Sequence, residues 1–192
     1  MKSVLVSIKP YYVFLIIAHK MGWNIEQEKT IEVRKNFPKA SDWNKLVEIY
    51  CSKDKKSFDR IPKEYQPLMQ KFLGKVIGEF ICNKVEVFSV GSLRCDDIEK
   101  LACLSYTEMI NYFYKPEELD GNTAKFGYGW HISDLKIYDK PKELREFKRL
   151  NRTEENAPCA HTKWLYPNCK DCKACNLTRP PQSWCYVESL GE

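Results

Sequence analysis

Lys29-Thr30-Ile31-Glu32-Val33-Arg34 alternates apolar and polar side chains with the period of two that a pleated strand imposes. The β-branched Ile31 and Val33 fall on one face, Thr30, Glu32 and Arg34 on the other, and Lys29 stands at the start. The stretch therefore reads as a strand with an apolar back and a charged front. Upstream, residues 3–8 alternate as a short strand. Pro10 then suits the first turn of a helix, where its missing amide would be unpaired anyway, and residues 11–19 supply the helix body before a loop over 22–28.

Downstream, residues 46–51 read as a strand and residues 74–89 as one long strand or two divided by a bulge. Residues 96–102 look helical, and Ser105 with Glu108 has the spacing of a capping box, so a second helix should run through Met109, Ile110 and Phe113. Strand character returns over 126–138, entered through Gly127 and Gly129. Residues 141–147 suit a short helix and 183–188 a last strand. This order is neither an alternating βαβ pattern nor a sandwich, and predicts an α+β fold: a small β-barrel flanked by helices.

The bulk composition sets bounds on that reading. With 192 residues, 43% hydrophobic and 13% aromatic, the chain can bury a core, which excludes a fully disordered protein and favours one domain over 1–192 with an elaboration. Mean hydropathy is −0.52, and the longest strongly apolar stretch, residues 11–18, is far short of the roughly 20 residues of a membrane span. Lys9-Pro10 interrupts the N-terminal apolar run and no small-residue cleavage pattern follows, so the expectation is a cytoplasmic protein without a membrane partner. The net charge of +5 is mild. It is concentrated at Lys53, Lys55, Lys56, Arg60 and Lys63, and at Lys136, Lys140, Lys142, Arg145, Lys148, Arg149 and Arg152. Each stretch suits a phosphate backbone or an ordinary solvated face.

Nine cysteines divide into five dispersed ones and four in a C-x9-C-x2-C-x2-C array, Cys159, Cys169, Cys172 and Cys175, with His161 as an alternative ligand. That distribution fits a reducing compartment and one metal cluster better than a disulfide framework. Four soft ligands in a loop-rich segment favour tetrahedral zinc. The further cysteine and proline of the bacterial ferredoxin pattern, which an iron–sulfur cluster would suggest, are absent, and unligated thiols are the third reading. A closed four-ligand site would be structural, pinning residues 151–181 as a zinc-knuckle-like insertion before the last strand. Lys163, Lys170, Lys173 and Arg179 would extend a basic surface there.

Taken in order, Ser7-Ile8-Lys9-Pro10, the strand from Lys29 to Arg34, Gly74-Lys75-Val76-Ile77-Gly78-Glu79-Phe80 and Tyr128-Gly129-Trp130-His131-Ile132 resemble the ASCH family of the PUA-like superfamily. The closing Pro180-Pro181-Gln182-Ser183-Trp184 looks like its phage and bacterial members. Lys29, Glu32 and Arg34 keep the spacing of the family signature; Gln27 stands where its glycine would be, and Gly22 reads as that glycine displaced. The resemblance implies a PUA-like barrel with a cleft between the first helix and the signature strand, binding RNA or a nucleotide, modified or not. Lys9, Lys29, Glu32, Arg34, Trp130 and His131 would line it. Arg34 offers a planar fork, the lysines point charges, Glu32 an acceptor for an exocyclic amine, and Trp130 and His131 a stacking platform. Against this stands a plain reading in which Glu32 and Arg34 merely pair and Trp130 is core.

Some small ASCH-like members are amidohydrolases acting on acetylated cytidine, so the alternative function is hydrolysis of N4-acylated cytidine-type nucleosides. Lys29 matches their lysine, but Glu32 stands where they keep a nucleophilic threonine, and alternation puts Thr30 on the face opposite Lys29. Leu101-Ala102-Cys103 meets the position of their carboxylate, with Glu99 the nearest acid. Ribonuclease activity would need His131 as acid or base. The catalytic candidates are thus Lys29, Thr30, Glu32 and His131. The aromatic group Tyr106, Tyr112, Phe113 and Tyr114 reads as packing.

Overall fold

The computed structural model describes residues 2–38, 45–90, 95–118, 124–150 and 176–188. In chain order the elements are β1 (Lys2–Ile8), α1 (Pro10–Ile17), β2 (Ile31–Arg34), β3 (Leu46–Cys51), α2 (Lys55–Phe58), α3 (Gln66–Met69), β4 (Lys75–Ile81) and β5 (Val85–Ser89). They continue with α4 (Cys95–Ala102), α5 (Tyr106–Phe113), β6 (Phe126–His131), β7 (Ser133–Glu143) and β8 (Trp184–Glu188). The fold is mixed α+β. The described strands make two sheets, β7-β4-β3-β1-β8 and β2-β6-β5, so the small β-barrel expected from the sequence is not closed among them. The reason is in the pairing: β1 is occupied on both sides, parallel with β3 and antiparallel with β8, while β2 finds its partner in β6.

Several sequence expectations shift at element edges. The run over 74–89 divides into β4 and β5 around Cys82-Asn83-Lys84. The strand over 126–138 breaks at Ile132, and β7 then continues through Pro141 to Glu143, so the short helix expected over 141–147 shrinks to a single 3-10 turn, Leu144–Glu146. Proline is tolerated because β7 is an edge strand, where an amide on the outer side has no ladder partner to lose. The four-residue helices α2 and α3 are too short to announce themselves by periodicity. α2 is set by Asp54, whose carboxylate accepts from the Ser57 amide at 2.7 Å. The capping box of α5 forms as expected, with Ser105 N 2.9 Å from Glu108 Oε2 and Glu108 N 3.3 Å from Ser105 Oγ.

The chain divides into two compact units. One comprises residues 1–13, 38–80 and 136–192 and holds the five-stranded sheet, with Leu5, Tyr50, Val76, Tyr138, Leu144, Phe147, Leu177, Cys185 and Val187 packed as a core. The other, residues 14–37 and 81–135, holds the three-stranded sheet and the helices α4 and α5. Its core joins Ile31 and Val33 of β2 to Phe88, Ile98, Ala102, Met109 and Phe113. Glycines on β6 permit that packing: a Cβ on Gly127 would overlap the ring edges of Phe88 and Phe113, and one on Gly129 would stand 2.9 Å from Ile31 Cγ2. No helix among the described residues is long and apolar enough to cross a membrane.

Candidate functional site

The signature stretch lies wholly in the unit of the three-stranded sheet. Its strand is shorter than expected, beginning at Ile31, because Lys29 and Thr30 are held from elsewhere. The Lys29 amide donates to Leu15 O at 3.2 Å and the Thr30 amide to Leu101 O at 2.9 Å. Upstream, Gly22 adopts φ +70° and the Trp23 amide donates to Ala18 O at 2.9 Å, an ending in which glycine takes the left-handed conformation after a helix.

Register sorts the side chains of this sheet. Glu32 lies opposite Trp130, which lies opposite Val85; Arg34 lies opposite Tyr128, which lies opposite Val87. Directly opposed residues share a face, so Glu32, Arg34, Tyr128 and Trp130 are on one side and Ile31, Val33, Glu86 and His131 on the other. The core with α4 and α5 lies on the second side, where Ile31 and Val33 are buried.

Three charges meet out of water. Glu32 spans two cations: its Oε1 is 2.7 Å from Arg34 Nη2 and its Oε2 is 3.3 Å from Lys29 Nζ. The side chains of Lys29, Glu32 and Arg34 are 2%, 8% and 7% exposed. Lys29 also donates to Ala102 O at 2.8 Å. That carbonyl ends α4, where carbonyls lack intrahelical partners and the helix dipole favours a cation. Cys103 follows at φ 51°, with the Leu104 amide on Glu99 O at 3.0 Å, so the turn that presents Ala102 O is itself fixed. Burial pulls the pKa of Lys29 below the ordinary lysine value, and the neighbouring Glu32 opposes that pull. At the outer end Tyr112 of α5 shares a hydrogen bond with Arg34, and Lys35 Nζ sits 5.2 Å from the Tyr112 ring centroid. Tyr112 is 36% exposed, and burial raises its phenol pKa.

The remaining candidates separate. Trp130 is fully buried, so its ring is a core element without an open face for a base, which corrects the expected stacking role. His131 lies on the opposite face from Glu32, its Nε2 3.1 Å from Glu86 Oε2; Lys84 first, then His131, hold the Glu86 carboxyl below its usual range. Thr30, partly exposed, precedes the strand and lends its carbonyl to the Ile132 amide at 2.9 Å. Lys9 is exposed between β1 and α1, in the other unit. Glu99, the acid nearest the hydrolytic position, is not the group that meets Lys29; a backbone carbonyl is. Cys159, His161, Cys169, Cys172 and Cys175 lie outside the described residues, and among the described ones no group of metal ligands gathers. The sequence reading of Tyr112 as packing misses its role; its place three residues after Met109 and next to Phe113, both buried, hides its exposed position on α5.

No protein-family model matches this sequence, and no curated protein matches it. Solved structures do. An ASCH protein from Zymomonas mobilis matches with a TM-score of 0.53 at 16% identity, over 97% of this chain and 87% of that one. Its Tyr-to-Phe variant matches with a TM-score of 0.52 at 16% identity, over 98% and 91%. The fold is therefore ASCH-like along nearly the whole chain.

Proposed function

We propose that this chain is a nucleic-acid-binding module of the PUA-like kind, taking single-stranded RNA or a nucleotide, modified or not, at the Lys29–Glu32–Arg34 cluster. The observation that carries this reading is the charge balance of the cluster: two cations on one carboxylate, all three nearly buried. An excess of positive charge in a poorly solvated place is costly by itself, and an anionic group at its rim offsets it. Phosphate suits the planar fork of Arg34, and the half-exposed Tyr112 beside it has the geometry to stack on a base. The ASCH-like fold supports the same reading by analogy of architecture.

The test is fluorescence titration of the tryptophan-containing protein with single-stranded RNA, single-stranded DNA and mononucleotides at two salt concentrations. Binding that weakens with salt is expected, and Arg34→Met should lower affinity about tenfold or more, the value of a charge-assisted hydrogen bond. Absence of binding to every ligand at low salt would overturn the reading.

One observation favours hydrolysis as a second reading: Lys29 is buried with a depressed pKa, the condition that makes an amine a useful base. Turnover of N4-acetylcytidine by the wild type, lost in Lys29→Ala, would establish it. The His131–Glu86 pair would serve a ribonuclease, although the sheet puts it on the face away from Glu32 and Arg34.

A further inference from the structure

Away from that cluster, the five-stranded sheet carries a buried acid–phenol group. Glu48 is on β3, Glu79 on β4 and Tyr138 on β7, with β4 between the other two strands. The Tyr138 hydroxyl oxygen is 2.6 Å from Glu48 Oε2 and 2.6 Å from Glu79 Oε2. A phenol has one hydrogen to give. If it goes to one carboxylate, the second contact of that length sets lone pair against lone pair unless the second carboxyl carries its own proton and donates to the phenol oxygen. The geometry therefore requires one carboxyl proton in addition to the phenolic one. Glu48, 1% exposed, is the better holder, because it is the more deeply buried of the two carboxyls and burial disfavours the charged form.

We infer that Glu48, Tyr138 and Glu79 bind one shared carboxyl proton near neutral pH, which makes the junction of β7 with β3 and β4 a pH-sensitive joint. Loss of that proton leaves two carboxylates around one phenol, with Lys142 Nζ, 4.1 Å from the Tyr138 ring centroid, as the adjacent cation. Tyr50 of β3 and Cys185 of β8 belong to the same core as Tyr138, with Glu143, paired at 3.4 Å with Lys75, acting on Tyr50 and Arg149 on Cys185; Lys136 and Lys140 stand two residues either side of Tyr138 on β7. Burial raises the Cys185 thiol to about 11 and raises the Tyr50 phenol as well, so neither titrates near neutrality. Burial, reinforced by Glu79 and opposed by the Tyr138 hydrogen bond and Lys142, pushes Glu48 up to about 7. A folded-state value above the unfolded one gives stability that is complete below the ordinary carboxyl range and lost as pH rises through about 7. β7 leads into residues 144–150, whose Phe147 carbonyl accepts from the Leu177 amide at 2.8 Å, so loosening at the joint is passed on to that core.

Chemical denaturation of the full chain between about pH 5.5 and pH 8.5 tests this. The wild-type unfolding constant should rise roughly thirtyfold across that range, levelling off above about pH 7, and Glu48→Gln should remove most of that rise. Equal slopes in the two proteins would overturn the inference. Should Glu48→Gln fail to fold, infrared difference spectra of the wild type decide. A protonated-carboxyl band that disappears between about pH 6 and pH 8 is expected, and a spectrum without one would overturn it.

Discussion

Arg34 Nη2 stands 2.7 Å from Glu32 Oε1, two residues apart on one face of β2, with both side chains more than nine-tenths buried. The same carboxylate holds Lys29, so its removal leaves two buried cations facing each other. Glu32→Ala should therefore destabilise the protein by about 3–5 kcal/mol, the usual cost of breaking a buried ion pair from one side. Replacing all three by apolar residues, Lys29→Met, Glu32→Leu and Arg34→Met, should cost less than Glu32→Ala alone. Urea denaturation of the wild type and the two variants measures both, and a triple variant less stable than the single one would contradict the argument.

The packing of β6 on α5 gives a second expectation. A methyl at Gly127 would enter the space of Phe88 and Phe113, whose rings already meet edge to face at 6.1 Å and are 4% and 2% exposed. Gly127→Ala should lower stability by about 1–3 kcal/mol, the range for overpacking a well-filled core. At Gly129 the first obstacle is the Ile31 Cγ2 methyl at 2.9 Å, with Ile98 Cδ1 at an ordinary 3.5 Å, so Gly129→Ala should cost less. Thermal unfolding of the pair orders them.

These two features also show what was legible in the sequence. The alternation in Ile31 to Arg34 and the glycines of β6 marked a strand with an apolar back, and Ser105 with Glu108 marked the start of α5, because each signal is local. The partner of Lys29 was not legible: a carbonyl at the end of α4, 73 residues away, has no residue type to betray it. Trp130 was misjudged for a related reason. Alternation assigns it the face of Glu32, yet burial of that end of the face is a tertiary property, and so is the exposure of Tyr112. The barrel expectation failed on pairing, since strand count does not say which edges meet.

The cysteine array gives an expectation of a different kind. If Cys159, Cys169, Cys172 and Cys175, or His161 in place of one, hold zinc, the purified protein should contain about one equivalent. Chelation should then destabilise it, because metal affinity in such a site is folding free energy. Elemental analysis with zinc and iron read together checks this. Less than about half an equivalent of either metal, in protein never exposed to chelator, would count against a four-ligand site.

The last expectation separates the two things Tyr112 can contribute to binding. Its hydroxyl shares a hydrogen bond with Arg34, and its ring is 36% exposed beside Lys35. If the ring stacks on a base, Tyr112→Ala should weaken single-stranded RNA binding by about 1–3 kcal/mol, and Tyr112→Phe should retain most of the affinity. If the hydroxyl matters by fixing the Arg34 fork, Tyr112→Phe should lose about 0.5–1.5 kcal/mol on its own. Neither change touches a cation, so the salt dependence of binding should stay as in the wild type, whereas Lys35→Ala should lower it by about one counterion's worth. Wild-type affinity and salt slope in Tyr112→Ala would place the ligand elsewhere on the molecule.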